Sequence, residues 1–424
     1  MGRKRIAVIG GGAKAAAIAA KAASLRDRAG IEIEVVVFER ARIGANWSGD
    51  HGYTDGLQAL CTPADRDIGF PYATWSFGPS VAEDMQARFS WPAFLIATDD
   101  YQGWIDQGRP RPTHRQFAAY LDFCIKRADA RVINGDVVAL DVASGQWTIT
   151  HDDRLTQTRK PEPGFDGLVV TGAGPAKRLS KFTDLRLFDG HSFWSALDGI
   201  PATAGADPGM PVVIIGAGGT AAACAGWLAR ARVTNPIIIL SRRSTLFART
   251  DSAFENRAFL DSENWALLSV EDRRQFTDRL TRSAVWQSVL EDLSRAPNVT
   301  VQAGDAKAIR NEPPGDPDGE LFVEYTTSAA PEVTRSMSAA LVIDATGFDP
   351  WWFDALLPSN LKTLVQGDRL DMMSRMDGAL ALPLPGPSLH APPVSQVASP
   401  AFSSLMALGA MSDAVLFPYV TQLT

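Results

Sequence analysis

The sequence predicts an α/β protein made of two similar units, each a parallel sheet entered through a glycine-rich turn. Three observations carry this. The run "RIAVIG" is a short, β-branched strand; Gly10, Gly12 and Ala15 follow in "GGGAKA", and the helix formers "AAAIAAKAASLRDRA" come next. Two hundred residues later "PVVIIG" leads into Gly216, Gly218 and Ala221 at the same spacing, again before a helix, "TAAACAGWLARA". Each unit then proceeds to a second apolar strand, "IEIEVVVFER" in the first and "PIIILSRR" in the second.

Strand, Gly-x-Gly-x-x-Ala, helix is the pattern of a Rossmann-like dinucleotide site. Gly10 makes the tight turn, Gly12 lets a diphosphate approach the backbone, and Ala15 lets the helix lie close on the strand. Free N–H groups at the helix start then face the phosphates. The residue ending the second strand chooses the dinucleotide. In the first unit it is Glu39, which accepts from a ribose diol and repels a 2′-phosphate, so this loop suits FAD or NAD. In the second unit Arg242 and Arg243 replace the acid, and guanidinium groups suit a 2′-phosphate, so Gly216 and Gly218 open an NADPH site. Either motif alone fits a ligand-free βα turn; the pair, each with a matching strand end, points to a resident flavin and a nicotinamide reductant.

Composition narrows the class. The 424 residues are 46% hydrophobic and 21% charged, with net charge −7 and pI about 5.4. No basic stripe speaks for nucleic acid, and no run of eighteen apolar residues speaks for a membrane span. Cys61, Cys124 and Cys224 form no CxxC pair, and the five histidines show no HxH or HxxxH spacing, so no disulfide frame and no metal site is expected. The basic, alanine-rich N-terminus superficially resembles a signal peptide, but Lys14 and Lys21 interrupt its apolar run. A cytoplasmic enzyme, assembled as a dimer or tetramer, is expected.

The chain is expected to divide into residues 1–185, a first dinucleotide unit; 200–335, a second, with a substrate-region insertion at about 245–300; and 340–424, which completes the first unit and supplies an active-site loop. "FDGLVVTGAGP" and "ALVIDATGFDP" read as strands returning to the sheets. "VTVQAGDAKAIR" and "LFVEYTT" read as two strands about an exposed turn, "NEPPGDPDGE". The proline-rich segment 381–400 cannot be regular helix or central strand, and reads as an ordered loop over a site. His114, just after the N-cap residue Thr113, reads as a surface residue of a first helical turn.

Together with "HSFW" (His191 to Trp194) and the "ATG" strand end (Ala345 to Gly347), the two loops resemble the class B N-hydroxylating flavin monooxygenases. The segments "GANWSGDHGYTDGLQALCTPADRDIGFPY", "SWPAFLIATDDYQGWIDQGRPRPTHRQFAAYL" and "TLFARTDSAFENRAFLDSENWALLSVEDRR" are most similar to L-lysine N6-monooxygenases of siderophore pathways. The resemblance implies FAD on Gly10, Gly12, Ala15 and Glu39, with Trp47 and Gln58 beside the isoalloxazine, and NADPH on Gly216, Gly218, Arg242 and Arg243. It also implies Asn256 as a substrate contact, with lysine, or else ornithine or another amine, as the small-molecule substrate, and O2 as co-substrate.

Three departures bear on the substrate. The stretch after Gln58 is short and holds no lysine for a substrate carboxylate, leaving Arg66 as its cation; a second asparagine position falls near Arg282; and the tyrosine usual after "ATG" is Phe348. Rival readings are weaker. A disulfide reductase needs a CxxC-type pair, a Baeyer–Villiger or sulfur-oxidising enzyme needs a longer signature than "FDGHSFW", and a flavin-free regulator would not need Glu39.

Overall fold

The computed structural model describes residues 3–50, 52–250, 252–279, 284–313, 316 and 319–421. A seven-stranded sheet forms the first unit. Its order is Ser388–His390, Gly167–Val170, Lys4–Ile9, Ile33–Glu39, Arg131–Ala143, Gln146–Asp153 and Arg159–Phe165. The first five run parallel and the last three form an antiparallel meander. The helix Ala13–Ala29 lies on this sheet, and every residue from Ala13 to Leu25 is buried. Its alanines let it sit against the sheet on one side and the helices Pro79–Phe89, His114–Arg127 and Leu408–Thr421 on the others.

The second unit is an all-parallel sheet ordered Val299–Ala303, Ile237–Ser241, Val212–Ile215, Leu341–Asp344 and Leu187–Asp189. The helix Gly219–Arg230 packs on one face through Ala221, Ala222, Ala225 and Leu228. A three-stranded antiparallel sheet, Asp305–Glu312, Glu320–Thr327 and Ala330–Ala339, covers the other through Leu321, Val323 and Tyr325. The stretch "VTVQAGDAKAIR", expected as one strand, is therefore two strands in different sheets. They break at Gly304, where a Cβ would come within 2.6 Å of Leu240 and Tyr325. Part of the turn at 311–320 lies outside the described residues.

The chain crosses back to the first unit after Asp344, and its proline-rich stretch is ordered. Ser388–His390 adds to the edge of the first sheet, Pro392–Val394 makes one 3-10 turn, and Leu389 to Val397 are buried. Between the units, residues 253–277 form three short helices; Phe259 packs with Ala401, Met406 and Ala407. Among the described residues no helix is long and apolar enough to cross a membrane.

Candidate active site

The C-terminal ends of both parallel sheets open onto one cavity of about 1330 Å³, the usual position for a ligand on such sheets. Gly10 to Lys14, Glu39 and Thr171 to Ala173 line it from the first unit; Ile215 to Thr220, Leu240 to Arg243 and Ala345 to Phe348 line it from the second. The two glycine loops thus border the same space.

Their backbones explain the glycines. Gly10 has φ +99°, and a Cβ there would lie 2.5 Å from Thr171 Oγ1; Gly216 has φ +118°, and a Cβ would lie 2.5 Å from the Ala345 carbonyl oxygen. Gly12 differs: a Cβ would meet no protein atom within 4 Å, so nothing inside the fold demands a glycine there. Only something placed in the cavity would, and an approaching diphosphate is such a group. The residues present fit a dinucleotide at this loop. Ala15 and Ala221 are fully buried under their helices.

Glu39 stands beside the first loop, its carboxylate accepting from Gly11 N–H at 2.6 Å and Ala41 N–H at 2.7 Å. Arg242 and Arg243 are exposed at the opposite rim, and neither guanidinium has an ion-pair partner among the described residues; that of Arg243 sits 5.2 Å from the Phe247 ring. Trp47 lines the cavity and meets His114 and Phe117 edge-on. Gln58 lies one layer behind the wall: its carbonyl accepts from the His114 backbone N–H at 2.8 Å, and its Nε2 is buried without a hydrogen-bond partner among the described residues.

Asn256 is not in the cavity wall. It sits half-buried on the helix Ala253–Ala258, three residues before Phe259, which packs on the segment that supplies Ser403, Ser404 and Leu405 to the cavity. Arg66 also stays outside, donating to the Met406 carbonyl at 3.0 Å and stacking 4.5 Å over Phe70. Arg282 and His51 lie outside the described residues.

The structure adds residues that the motifs did not reveal. His114 is not a surface residue: it is half-buried in the cavity wall, with Nδ1 2.8 Å from Thr54 Oγ1. Burial pushes its imidazole down to about 4, opposed by Asp55. The N-cap assigned to Thr113 is present as a full capping box with Gln116. Tyr53 bridges the units, donating to the Gly174 carbonyl at 3.0 Å and meeting Phe348 and His191 edge-on. Lys14, the second helical residue, also lines the cavity. A polar residue at an unassigned position of a glycine motif was the one available signal for it.

A two-sheet α/β protein with both dinucleotide loops on one cavity is the architecture of two-dinucleotide flavin enzymes. No family model matches the chain. The L-lysine N6-monooxygenase MbtG of Mycobacterium tuberculosis is 34% identical over 427 residues, covering 97% of this chain and 94% of the relative. MbtG of Mycolicibacterium paratuberculosis is 33% identical over 431 residues with the same coverage. The solved lysine monooxygenase NbtG of Nocardia farcinica has TM-score 0.81 at 29% identity, covering 97% and 99% of the two chains. The ornithine N-hydroxylase KtzI of Kutzneria sp. 744 shares the fold, with TM-score 0.75 at 16% identity over both full chains. The chain belongs to the L-lysine N6-monooxygenase family.

Proposed function

We propose that the protein hydroxylates the side-chain amine of L-lysine, using FAD, NADPH and O2, to give N6-hydroxylysine for a hydroxamate siderophore. The observation that carries this reading is the single cavity bordered by both glycine loops, in a chain so similar to MbtG along nearly its whole length. FAD held here would supply the chemistry by which NADPH electrons reduce O2, one oxygen atom going to the amine and the other to water. The chain's own residues bind and orient. The first loop, with Gly10, Gly12, Ala15 and Glu39, would hold FAD, with Trp47 in the cavity wall on the ring side and Gln58, one layer behind, supporting that wall through His114; Gly216, Gly218, Arg242 and Arg243 would hold NADPH.

The amine must be neutral to act as a nucleophile. Lysine's usual pKa near 10.4 makes deprotonation at pH 7 cost about 4.6 kcal/mol. Desolvation and a neutral acceptor offset this cost, and Asn256 supplies an acceptor without the charge that would hold the ammonium. Its helix packs, through Phe259, beside the segment that supplies the cavity's 403–405 wall. We further infer a cytoplasmic homo-oligomer; the exposed Phe254 (84%) and Leu267 (83%) on the short helices supply apolar surface for subunit contact, and sedimentation would read the assembly.

Mass spectrometry after incubation with FAD, NADPH and a panel of amines tests the reading. A product 16 Da heavier than lysine (one added oxygen, by mass arithmetic), with lysine-stimulated NADPH oxidation, is expected. Oxygenation of ornithine but not of lysine would move the substrate, and no oxygenated amine would overturn the activity.

A further inference from the structure

The helix under the first loop carries two buried lysines that face different surroundings. Lys21 is 1% exposed, and its Nζ lies 2.6 Å from Asp413 Oδ1, a carboxylate itself almost fully buried. Its charge is met by an opposite charge. Lys14, seven residues earlier, is 9% exposed, and its Nζ donates at 3.0 Å to the backbone carbonyl of Ser404, which is neutral. Burial pushes the Lys14 ammonium down to about 8, and no carboxylate among the described residues opposes the shift. Glu39, the acid that shares this end of the cavity, has its two oxygens on Gly11 and Ala41 N–H.

The placement is doubly unfavourable for a cation on its own. Lys14 sits in the first helical turn, where the peptide dipoles repel positive charge, and it sits out of water. Both costs reverse if an anion lies at the helix start. Lys14 lines the cavity together with Gly10 to Ala13, and the approach to Gly12 is open.

We propose that Lys14 is the fixed counter-charge for the diphosphate of the dinucleotide held at the first glycine loop, a role that no part of the glycine motif assigns. This rests on the reading that the first loop holds FAD. The second loop has Thr220 at the matching position, so its diphosphate meets no built-in cation from the helix. The asymmetry gives the first site a charge that its exchanging neighbour lacks, in keeping with a dinucleotide that stays through many turnovers.

Lys14→Met keeps the length and apolar stem and removes the charge; Lys14→Gln also keeps a donor for Ser404. The full chain freed of flavin is titrated with FAD, following quenching of flavin fluorescence at several salt concentrations. A charge-assisted hydrogen bond implies a Kd for FAD roughly tenfold to a hundredfold higher in both variants. The salt dependence of that Kd should become shallower, and the flavin-free variants should melt no lower than the native chain. Unchanged affinity, or weaker binding with the native salt dependence, overturns the proposal. Gly12→Val separates the two levels: if it loses FAD while Lys14→Met binds normally, the first loop is still the flavin site and only the role of Lys14 falls. If Gly12→Val also binds FAD normally, the flavin reading of the loop falls with it.

Discussion

The two glycine loops have nearly the same backbone and opposite electrostatics. Gly12 (φ −94°, ψ −164°) and Gly218 (φ −91°, ψ −172°) cap their helices in matching conformations. Gly10 and Gly216 donate to the carbonyls of Phe38 and Leu240 at 2.8 and 2.9 Å. Around the first loop the acid Glu39 is drawn inward onto backbone N–H groups, and a lysine is buried in the first turn of the following helix, on the Ser404 carbonyl. Around the second, the charges are two exposed arginines at the strand end. The shared backbone and the unlike side chains fit the reading in which the loops seat two diphosphates and the charges around them choose the dinucleotide, which the following variants test.

The largest expected effect breaks the first loop alone. Gly12→Val should yield colourless protein, yet its flavin-free form should melt within a few degrees of the native one, because the added Cβ meets no protein atom. Gly10→Val should instead destabilise the fold, by roughly 1–3 kcal/mol or more, since φ +99° and the 2.5 Å approach to Thr171 exclude a side chain. Flavin absorbance and thermal melts of both variants check this contrast.

The second loop is broken through its charge. Replacing Arg242 and Arg243 together by Glu should raise KM for NADPH about tenfold to a hundredfold, the equivalent of about 1.5–3 kcal/mol of charge-assisted bonding, and should change KM for NADH far less. Steady-state kinetics with the two nucleotides decide it; equal use of both by the native enzyme would remove the assigned role of the pair.

A third variant separates both loops from the amine. Asn256→Ala should weaken lysine binding by about 1–3 kcal/mol while NADPH still reduces the flavin, so NADPH oxidation should continue with more hydrogen peroxide and less hydroxylamine. Asn256→Asp should hydroxylate less still, with partial rescue as pH rises. Unchanged coupling and lysine affinity in Asn256→Ala would place that helix away from the substrate.

The smallest effect concerns the wall between the loops. With its pKa lowered from 6.5 to about 4, His114 is neutral in the fold, and its protonation favours the unfolded chain. Its contribution is fully present above pH 6.5 and is lost as pH falls toward 4, at most about 3 kcal/mol. Asp67, whose buried carboxyl is pushed up to about 6, acts in the opposite sense over part of the same window. The readout is therefore the difference in acid unfolding between native protein and His114→Gln, which should show the shallower loss.

The glycine-turn entries to both sheets, both helix starts and the strand ends at Glu39 and Arg242–Arg243 were legible because continuous apolar β-branched runs, glycine spacing and charge at a strand end are local signals; the antiparallel meander 131–165 and the edge strands were not. The cavity wall was not. His114 read as surface because its helix position said nothing of Trp47 and Thr54, which reach it from a loop sixty residues earlier. Lys14 and Lys21 registered only as interruptions of an apolar run; their partners, Ser404 and Asp413, lie about 390 residues away. Asn256 was placed by resemblance, and the short helices around it carry little periodicity that could set its direction from sequence.

The edge strand Ser388–His390 and the helix Leu408–Thr421 have a consequence for biosynthesis. They complete a unit whose first strand begins at Lys4, so that unit cannot close until the helix Leu408–Thr421 has left the ribosome. The second unit draws its sheet from residues 187–344 and has all its strands much earlier. The nascent chain thus holds a finished second sheet while the alanine helix of the first unit still lacks its C-terminal cover, with Lys21 lacking its anion. A chain that stops short of Asp413 leaves that lysine unpaired in the core, and such a product is one that the cell's quality control can recognise.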